Sequence, residues 1–444
     1  MQKIELLAPV GSYEALHSAI KAGADAIYFG VTHLNMRYGC AKEFDLDDLK
    51  KIIDICHQSN IRAYLVVNTI VYNTEIELMH QIVDAAKKNK VDAIIASDVS
   101  VLQYCHDIKQ EVHASTQLSI SNIEAVRFYS QFCDRVVLAR ELDLGQIKEI
   151  SNKICVQKIK GPKGNLIELE GFCHGAMCIS VSGRCFMSTF EHGFSANRGL
   201  CRQVCRRPYK IIDEETGDAL KVESQYVMSP EDMCTIDFLD KLIDAGIVSL
   251  KIEGRGRSPE YVYTVITAYR KALDALGKGE YTEKLVEELF ADLKSVYNRG
   301  FSKGFFYGRP IGAWSNSYGS KATTRKIFLG KVTHFFPQPS VAEVSIQSGD
   351  IHVGDEIYII GETTGTVKMK IDELRNESET SIKSAQKGEI ITFKTSEKVR
   401  INDDVYIVES LSENQKKNEK NPRLRNRVQN YGDNLGFLSQ NGIM

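Results

Sequence analysis

The chain has 444 residues, of which 43% are hydrophobic and 26% are charged, and its formal net charge is -2 at pH 7. This length leaves room for one large domain and a smaller one. The near-neutral balance excludes a whole-chain positive field as the basis of nucleic-acid binding. The first residues, MQKIELLAPVGSYEAL, lack the basic and apolar regions of a secretion signal, and no run of 18 apolar residues occurs. We therefore expect a cytoplasmic protein without a membrane partner.

Short apolar segments alternate with amphipathic helical patterns over the first 150 residues. Strands are predicted at residues 4–9, 25–30, 62–68, 92–97, 111–116 and 134–140, and two more at 165–172 and 248–254. Continuous apolar strands are typical of a parallel sheet that is buried on both faces. Eight strand–helix units favour an α/β fold with a TIM-like (β/α)8 barrel. A doubly wound sheet is the alternative, but no G-x-G-x-x-G follows the first strand.

The pattern changes near residue 322, where short β-branched segments separated by turns replace the strand–helix alternation. We assign residues 1–320 to the barrel domain, with a cysteine-rich insertion at 173–210 after the seventh strand. Residues 325–410 are predicted to form a small C-terminal all-β barrel domain. Residues 411–444 are polar and basic, which predicts a flexible tail.

Polar side chains follow many of the predicted strands. In (β/α)8 barrels the chemistry lies at the C-terminal ends of the strands and in the loops that follow them. The competing interpretation of each single residue is that it satisfies loop backbone or pairs with a neighbour. The selected residues are Asn35, Arg37, Arg140, Glu141 and Arg255 for binding substrate, and Gln117, His174 and Glu253 for orienting it or moving protons.

Four cysteines lie within 28 residues after the seventh predicted strand, with the spacing C-x6-C-x15-C-x3-C: Cys178, Cys185, Cys201 and Cys205. A reducing cytosol and an odd total of 11 cysteines disfavour a disulfide framework. Zinc favours two short C-x2–4-C pairs, whereas iron–sulfur clusters accept widely varying spacings. On the residues alone, an iron–sulfur cluster ranks first, zinc second and unligated thiols third. Cys173 is an alternative ligand to Cys178.

Several segments together resemble the U32 peptidase family, also called the collagenase-like proteases: ELLAPVG, DAIYFG, ASTQLS, GFCHGAMCISVSGRCFMS, NRGLCRQVCRRPY and KIEGRGRSPEYV. The resemblance covers about residues 1–410. In length and domain content the chain is most similar to members that form 5-hydroxyuridine at position 34 of tRNA in a prephenate-dependent route. The resemblance implies that a [4Fe-4S] cluster is bound by Cys178, Cys185, Cys201 and Cys205. The implied partners are tRNA, a small carboxylate co-substrate and a paralogous or identical subunit.

The function expected from this resemblance is iron–sulfur-dependent hydroxylation of tRNA. Guanidinium groups bind carboxylates in a bidentate fashion, so Arg37, Arg140 and Arg255 suit a dicarboxylate such as prephenate. We expect the C-terminal domain to help hold RNA.

Two alternatives stay open. The first is a U32-type peptidase, for which His174 beside Cys173 or Cys178 is the tempting nucleophile–base pair; the zinc-protease motif H-E-x-x-H is absent. The second is a metal-stabilised RNA-binding module without catalysis.

Overall fold

The computed structural model describes residues 3–38, 44–210, 212–217, 226–317 and 319–411. The predicted basic tail at 411–444 lies outside the described residues except for Leu411. No helix in the described part of the chain is both long and apolar enough to cross a membrane.

Ten strands belong to the first sheet: β1 (Glu5–Pro9), β2 (Ala26–Phe29), β3 (Arg62–Val67), β4 (Ala93–Ala96), β5 (Val112–Ala114), β6 (Arg135–Val137), β7 (Glu168–Gly175), β8 (Asp232–Cys234), β9 (Ser249–Ile252) and β10 (Phe301–Ser302). Strands β1 to β7 are parallel neighbours in chain order, and β9 pairs in parallel with both β1 and β7. This double pairing closes an eight-stranded parallel barrel. Strand β8 pairs antiparallel with the end of β7, and β10 pairs in parallel with β8.

Ten helices are present in the described chain: α1 (Tyr13–Lys21), α2 (Asp48–Gln58), α3 (Ile76–Lys88), α4 (Val99–Asp107), α5 (Ile123–Tyr129), α6 (Leu144–Gln157), α7 (Met187–His192), α8 (Leu239–Asp244), α9 (Pro259–Lys278) and α10 (Glu283–Ser295). Several begin at side-chain caps that satisfy backbone N–H groups. The Asp98 carboxylate accepts from Ser100 N at the start of α4, and Asp143 and Gln146 form a capping box on α6. These caps fix where each helix leaves the loop that follows its strand.

The barrel interior contains a charged layer near the N-terminal ends of the strands. Glu5 on β1 pairs with Arg135 on β6, and Lys251 Nζ on β9 lies 2.8 Å from Glu170 Oε1 on β7. All four residues are buried. Burial alone would raise the pKa of Glu170, but Lys251 and Arg135 lower it. The interior therefore holds paired charges where apolar layers are usual in such barrels.

Antiparallel sheets form the C-terminal region. Their strands are β11 (Thr324–Phe336), β12 (Val341–Ile346), β13 (Asp350–His352), β14 (Glu356–Gly361), β15 (Gly365–Lys370), β16 (Leu374–Asn376), β17 (Ser381–Ile382), β18 (Ser384–Gln386), β19 (Ile390–Lys394) and β20 (Asp404–Ser410). Eight of them form one sheet, and β13 pairs with β18 separately. The region packs on α1 and α9: Ser18 Oγ lies 2.9 Å from Thr366 Oγ1, and Lys326 Nζ lies 2.9 Å from Glu260 Oε2.

The predicted fold class is confirmed, since a closed parallel (β/α)8 barrel is joined to antiparallel sheets. One strand is displaced from its prediction. The seventh strand begins at Glu168, three residues later than 165–172, because residues around Gly161 and Asn165 form a tight reversal before it. Lys160 and Leu166 bridge across this reversal. An apolar pattern cannot separate the arm of a short reversal from the strand that continues it.

Candidate functional site at the barrel mouth

A cavity of about 250 Å³ opens at the C-terminal ends of the barrel strands. One part of its wall comes from residues that directly follow strands, among them Asn68 after β3 and Glu253 after β9. The opposite part comes from the segment between β7 and β8, which contains the predicted cysteine-rich insertion. The insertion covers the end of the barrel where such folds place their active sites.

Two glycines dock the insertion onto the loop after β2. Gly199 has φ +90°, and a Cβ at this position would collide with the carbonyl oxygen of Asn35. Gly183 has φ +83°, and a Cβ there would collide with the Met36 side chain. Only glycine adopts this backbone conformation without strain and permits so close an approach. The insertion therefore lies directly against the loop that carries Arg37.

All four clustered cysteines line the cavity: Cys178, Cys185, Cys201 and Cys205. Cys178 is exposed and the other three are half-buried. Burial raises the pKa of the Cys205 thiol; Arg206 opposes this shift, and the charges of the other three cysteines add to it. The backbone N–H of Met187 donates to Cys185 Sγ at 3.4 Å. The four cysteines thus line one shared space. Within the described ranges, no three His, Cys, Asp or Glu side chains converge as ligands of a single metal ion.

Cys173 lies elsewhere. Its side chain is fully buried, and its Sγ donates to the carbonyl of Lys251 at 3.5 Å. Burial raises its pKa well above that of a free thiol, with a further contribution from Cys234. Of the two alternative ligands considered, only Cys178 faces the cavity.

Glu253 lies among guanidinium groups on the opposite wall. It forms an ion pair with Arg37, and its Oε2 lies 3.8 Å from Arg140 Nη2. Burial alone would raise the pKa of Glu253, but the charges of Arg37 and Arg140 lower it to about 2. The carboxylate is therefore ionised at neutral pH, and it orients the arginines instead of acting as an acid.

Arg140 is the most constrained of these arginines. Its guanidinium stacks 3.7 Å above the Phe172 ring, and its Nη1 donates to the carbonyl of Ala176 at 2.9 Å. Its buried Nε has no hydrogen-bond partner in the described structure. A buried donor without a partner is costly.

Gln117 lines the cavity between strand ends. Its Oε1 accepts from Asn68 Nδ2 at 3.0 Å and from the Ser115 hydroxyl. Its backbone carbonyl accepts from Arg184 Nη2 of the insertion at 3.1 Å. These contacts hold the side-chain oxygen towards the barrel wall, so the amide nitrogen is the part that can meet a ligand.

The structure brings five of the predicted non-cysteine residues to the cavity: Arg37, Gln117, Arg140, Glu253 and Arg255. Asn35 lies behind the wall, where its buried Oδ1 accepts from Arg255 Nη2 at 2.9 Å and from the backbone N–H of Arg37. It therefore positions two arginines. Glu141 is exposed and lies outside the lining, because the chain after Arg140 turns away from the mouth into α6.

His174 also lies outside the cavity lining. It is buried between the barrel and α9, with Nδ1 3.4 Å from the Tyr269 hydroxyl and its ring against Phe301. Burial, with a smaller effect of Arg257, lowers its pKa to about 3. A bulge between Phe172 and His174 in the β7–β9 pairing interrupts the alternation of inward and outward side chains at this point. The sequence therefore could not predict whether the side chain of His174 points into or out of the barrel.

Some residues that line the cavity were not predicted from the sequence as site residues. Lys251, Tyr28 and Arg299 line it, and the visible signal for Lys251 was a charged residue inside an apolar strand. Arg206 also lines it but is turned inward, where it donates to the Pro230 carbonyl at 2.6 Å and to the Met177 carbonyl. Arg206 therefore braces the insertion and is not a free contact for phosphate.

A G-x-S-x-G pattern, the nucleophile motif of many hydrolases, occurs at residues 300–304. Its central Ser302 is on the two-residue strand β10 and accepts from the backbone N–H of Gly304 at 3.4 Å. Ser302 lies outside the cavity lining. The strand-to-helix elbow that exposes such a serine is not formed here, since β10 leads into a turn.

Comparisons with known proteins identify the family of this chain. The profile of peptidase family U32 matches residues 11–316. A collagenase of Porphyromonas gingivalis (strain ATCC BAA-308 / W83) is 49% identical over 402 residues, which are 90% of this chain and 97% of that protein. The tRNA hydroxylation protein P1 of Bacillus subtilis (strain 168) is 31% identical over 407 residues, or 90% of this chain and 93% of that protein.

A 23S rRNA 5-hydroxycytidine C2501 synthase of Escherichia coli (strain K12) is 34% identical over 276 residues, which are 62% of this chain and 40% of that protein. The names of these relatives include a protease and two kinds of RNA hydroxylation. Because the family profile matches residues 11–316 and the relatives in Porphyromonas gingivalis and Bacillus subtilis each match over 90% of the chain, the protein belongs to peptidase family U32.

Proposed function

We propose that this protein binds a [4Fe-4S] cluster at the barrel mouth and takes part in prephenate-dependent hydroxylation of the wobble uridine of tRNA. The observation that carries the proposal is the placement of four thiols and a cluster of arginines around one cavity. The names of the relatives in Bacillus subtilis and Escherichia coli support an RNA substrate.

The donor set fits an iron–sulfur cluster better than zinc. Structural zinc sites usually combine two short C-x2–4-C pairs, and of the four cysteines only Cys201 and Cys205 have such a spacing. In a [4Fe-4S] cluster the four thiolates surround a body of several atoms. The same cavity is lined by Cys178, Cys185, Cys201 and Cys205, and the charges of the other three act on Cys205. When bound, such a cluster supplies one-electron transfers.

The charge of the cavity supports an anionic co-substrate. Among the described residues that line it, seven are basic and one, Glu253, is acidic. Arg206 donates to backbone carbonyls, Lys251 pairs with Glu170 and Arg299 pairs with Asp232. The remaining four basic residues lie around Glu253: Arg37, Arg140, Arg255 and Arg257. Arg140 lines the cavity, and its stacking on Phe172 holds the guanidinium plane in place. A fixed guanidinium is suited to a carboxylate, because two parallel hydrogen bonds form without further ordering. A dicarboxylate such as prephenate has the charge and the paired oxygens that suit the arginines on this wall of the cavity.

Hydroxylation at C5 of uridine replaces the C5–H bond by a C5–OH bond. This is a two-electron oxidation, and it needs an oxygen donor and an electron acceptor in addition to the protein's own residues. The base must therefore lie beside the redox centre with its edge held. Gln117 is suited to this task, since its Oε1 is occupied by Asn68 and its amide nitrogen can donate to a carbonyl of the base. Ser115 and Asn68 position Gln117 and do not need to contact the base themselves.

The site gives less support to peptide hydrolysis. A cysteine protease needs a thiol with a lowered pKa beside a base. Burial raises the pKa of Cys173 far above its usual range and lowers that of His174 to about 3. Cys178 faces the cavity, but His174 does not line it. We therefore favour hydroxylation, although the 49% identical relative is named a collagenase.

Nucleoside mass spectrometry of tRNA tests the proposal. A strain that lacks this protein and any second copy of the family should lose 5-hydroxyuridine-derived nucleosides. The full-length chain should restore them, and a Cys201→Ala variant should not. Unchanged nucleosides in the deletion strain would refute the tRNA substrate. Cleavage of gelatin by protein that contains no iron would favour the peptidase instead.

A further inference from the structure

Three phenylalanines of the cysteine-rich insertion are exposed beside the cavity. Phe186, Phe190 and Phe194 have relative exposures of 61%, 88% and 37%. They occur within nine residues on and around α7, and the rings of Phe186 and Phe190 lie 6.3 Å apart. Large apolar side chains that share one exposed surface usually mark a binding site. We call these three residues the aromatic rim.

Arginines border the aromatic rim. The Arg202 guanidinium lies 4.1 Å from the centre of the Phe194 ring. Arg184 extends from the insertion to the carbonyl of Gln117 at the cavity. Arg198 lies 4.6 Å above the ring of Tyr72, which is 55% exposed on the loop after β3. Arg198 is also ion-paired with Glu75, whereas Arg202 is the cation that lies over a ring of the rim. Aromatic and cationic groups therefore occur together both on the insertion and on the neighbouring barrel loop.

The aromatic rim is continuous with the candidate site. Phe186 directly follows Cys185, which lines the cavity. The next residue, Met187, begins α7 and donates its N–H to Cys185 Sγ. A ligand held on the rim would thus lie next to the thiols.

We propose that the aromatic rim stacks unpaired RNA bases and leads the target base into the cavity. This inference rests on the proposed function and specifies the form of its substrate. Sequence-tolerant binding of single strands combines exposed aromatic rings, which stack on base faces, with basic groups that contact the phosphates. A duplex hides its base faces, so the rim selects unpaired loops. The bordering arginines favour an anionic strand over an apolar peptide.

Phe190 provides the sharpest test, because its exposed ring can be removed without disturbing the core. The full-length protein is titrated with a short RNA hairpin that has an unpaired loop, and with a blunt duplex of the same stem. Phe190→Ala should weaken hairpin binding by about 5- to 150-fold, the effect expected when one stacked base is lost. Phe190→Trp should retain the affinity. Duplex binding should be weak and should not respond to either variant.

Phe128 provides the matched control. It is 53% exposed on α5, on the outer layer of the barrel, and Phe128→Ala should bind the hairpin as the wild type does. In addition, Arg202→Gln should reduce the slope of log affinity against log salt concentration by about 0.7, the value for one phosphate contact on a single strand. Iron content is measured on each variant to separate loss of stacking from loss of the cluster.

The outcomes separate this inference from the proposed function. Wild-type affinity of Phe190→Ala for the hairpin would overturn the stacking surface, even if tRNA is still hydroxylated. Binding that depends on Phe190, together with unchanged tRNA nucleosides in the deletion strain, would keep the stacking surface and overturn the proposed reaction. Equal loss of hairpin and duplex binding would also count against selection of unpaired bases.

Discussion

Replacing Glu253 by glutamine removes the carboxylate that lies among the arginines of the barrel mouth. Burial alone would raise the pKa of this carboxyl, but Arg37 and Arg140 lower it from 4.5 to about 2. One pKa unit corresponds to about 1.4 kcal/mol, so the ionised carboxylate stabilises the fold by about 3 kcal/mol at pH 7. Glu253→Gln should lower the free energy of unfolding by this amount. The value agrees with the roughly 3–5 kcal/mol lost when one partner of a buried ion pair is removed.

The pH dependence of this loss has a definite sign. Because the pKa is lower in the folded state, the stabilisation is fully present above about pH 5 and is lost as the pH falls towards 2. At pH 3 somewhat less than half of it remains. The difference in unfolding free energy between wild type and Glu253→Gln should therefore fall by roughly half between pH 7 and pH 3.

Urea unfolding followed by tryptophan fluorescence measures this difference. The single tryptophan, Trp314, bridges to Pro230 beside the insertion, so it reports on the barrel and not on the C-terminal sheets. Glu141→Gln is the matched control, since Glu141 is an exposed carboxylate on the same side of the barrel. It should change stability by less than about 0.5 kcal/mol. A Glu253→Gln variant as stable as the wild type, or a difference that is unchanged at pH 3, would refute the reasoning.

Three further predictions concern the cluster and the co-substrate. Cys178→Ala should abolish the brown colour and lower the iron content of anaerobically purified protein. Cys173→Ala should leave both unchanged. The reverse result would identify Cys173 as the ligand in place of Cys178. Gly199→Ala should lower the iron content as well, because its Cβ would collide with the loop after β2. Gly193→Ala is the control and should retain iron, since the space around Gly193 is open. Equal iron content in the two variants would exclude docking of the insertion as a requirement for the cluster. Arg140→Lys should weaken prephenate binding about 10- to 100-fold in calorimetric titration, since lysine keeps the charge but not the guanidinium fork. Unchanged affinity would mean that the carboxylates of prephenate bind away from Arg140.

The barrel could be predicted because its strands are short and its helices are regular. Segments such as AIYF in β2 and AIIA in β4 are apolar at every position, which occurs when both faces of a strand are buried. The strands β8 and β10 could not be predicted, since two or three residues contain no period. The pairing of β8 depends on where β7 ends, and β10 pairs with β8 in turn. Both pairings are therefore set by the tertiary structure.

The candidate site was predicted in part. Residues directly after strands, such as Arg140 and Glu253, face the mouth because parallel strands all end on the same side of the barrel. His174 follows the same rule in the sequence, but the bulge beside it turns its side chain towards α9. Lys251 was not selected, because a strand residue is read as core unless its partner is known, and Glu170 is 81 positions away in the chain.

The sequence by itself determined the alternation of strands and helices, the change of texture near residue 322 and the presence of a four-cysteine cluster, since these are local properties of composition and period. Only the tertiary structure decided which side chains share the cavity. It directs Cys178 inward and leaves Cys173 in the core, sets Glu253 between Arg37 and Arg140, and exposes the aromatic rim beside the thiols. The reason is physical: contacts between distant segments depend on closure of the barrel and on the docking of the insertion at Gly199, and neither leaves a periodic signal in the chain.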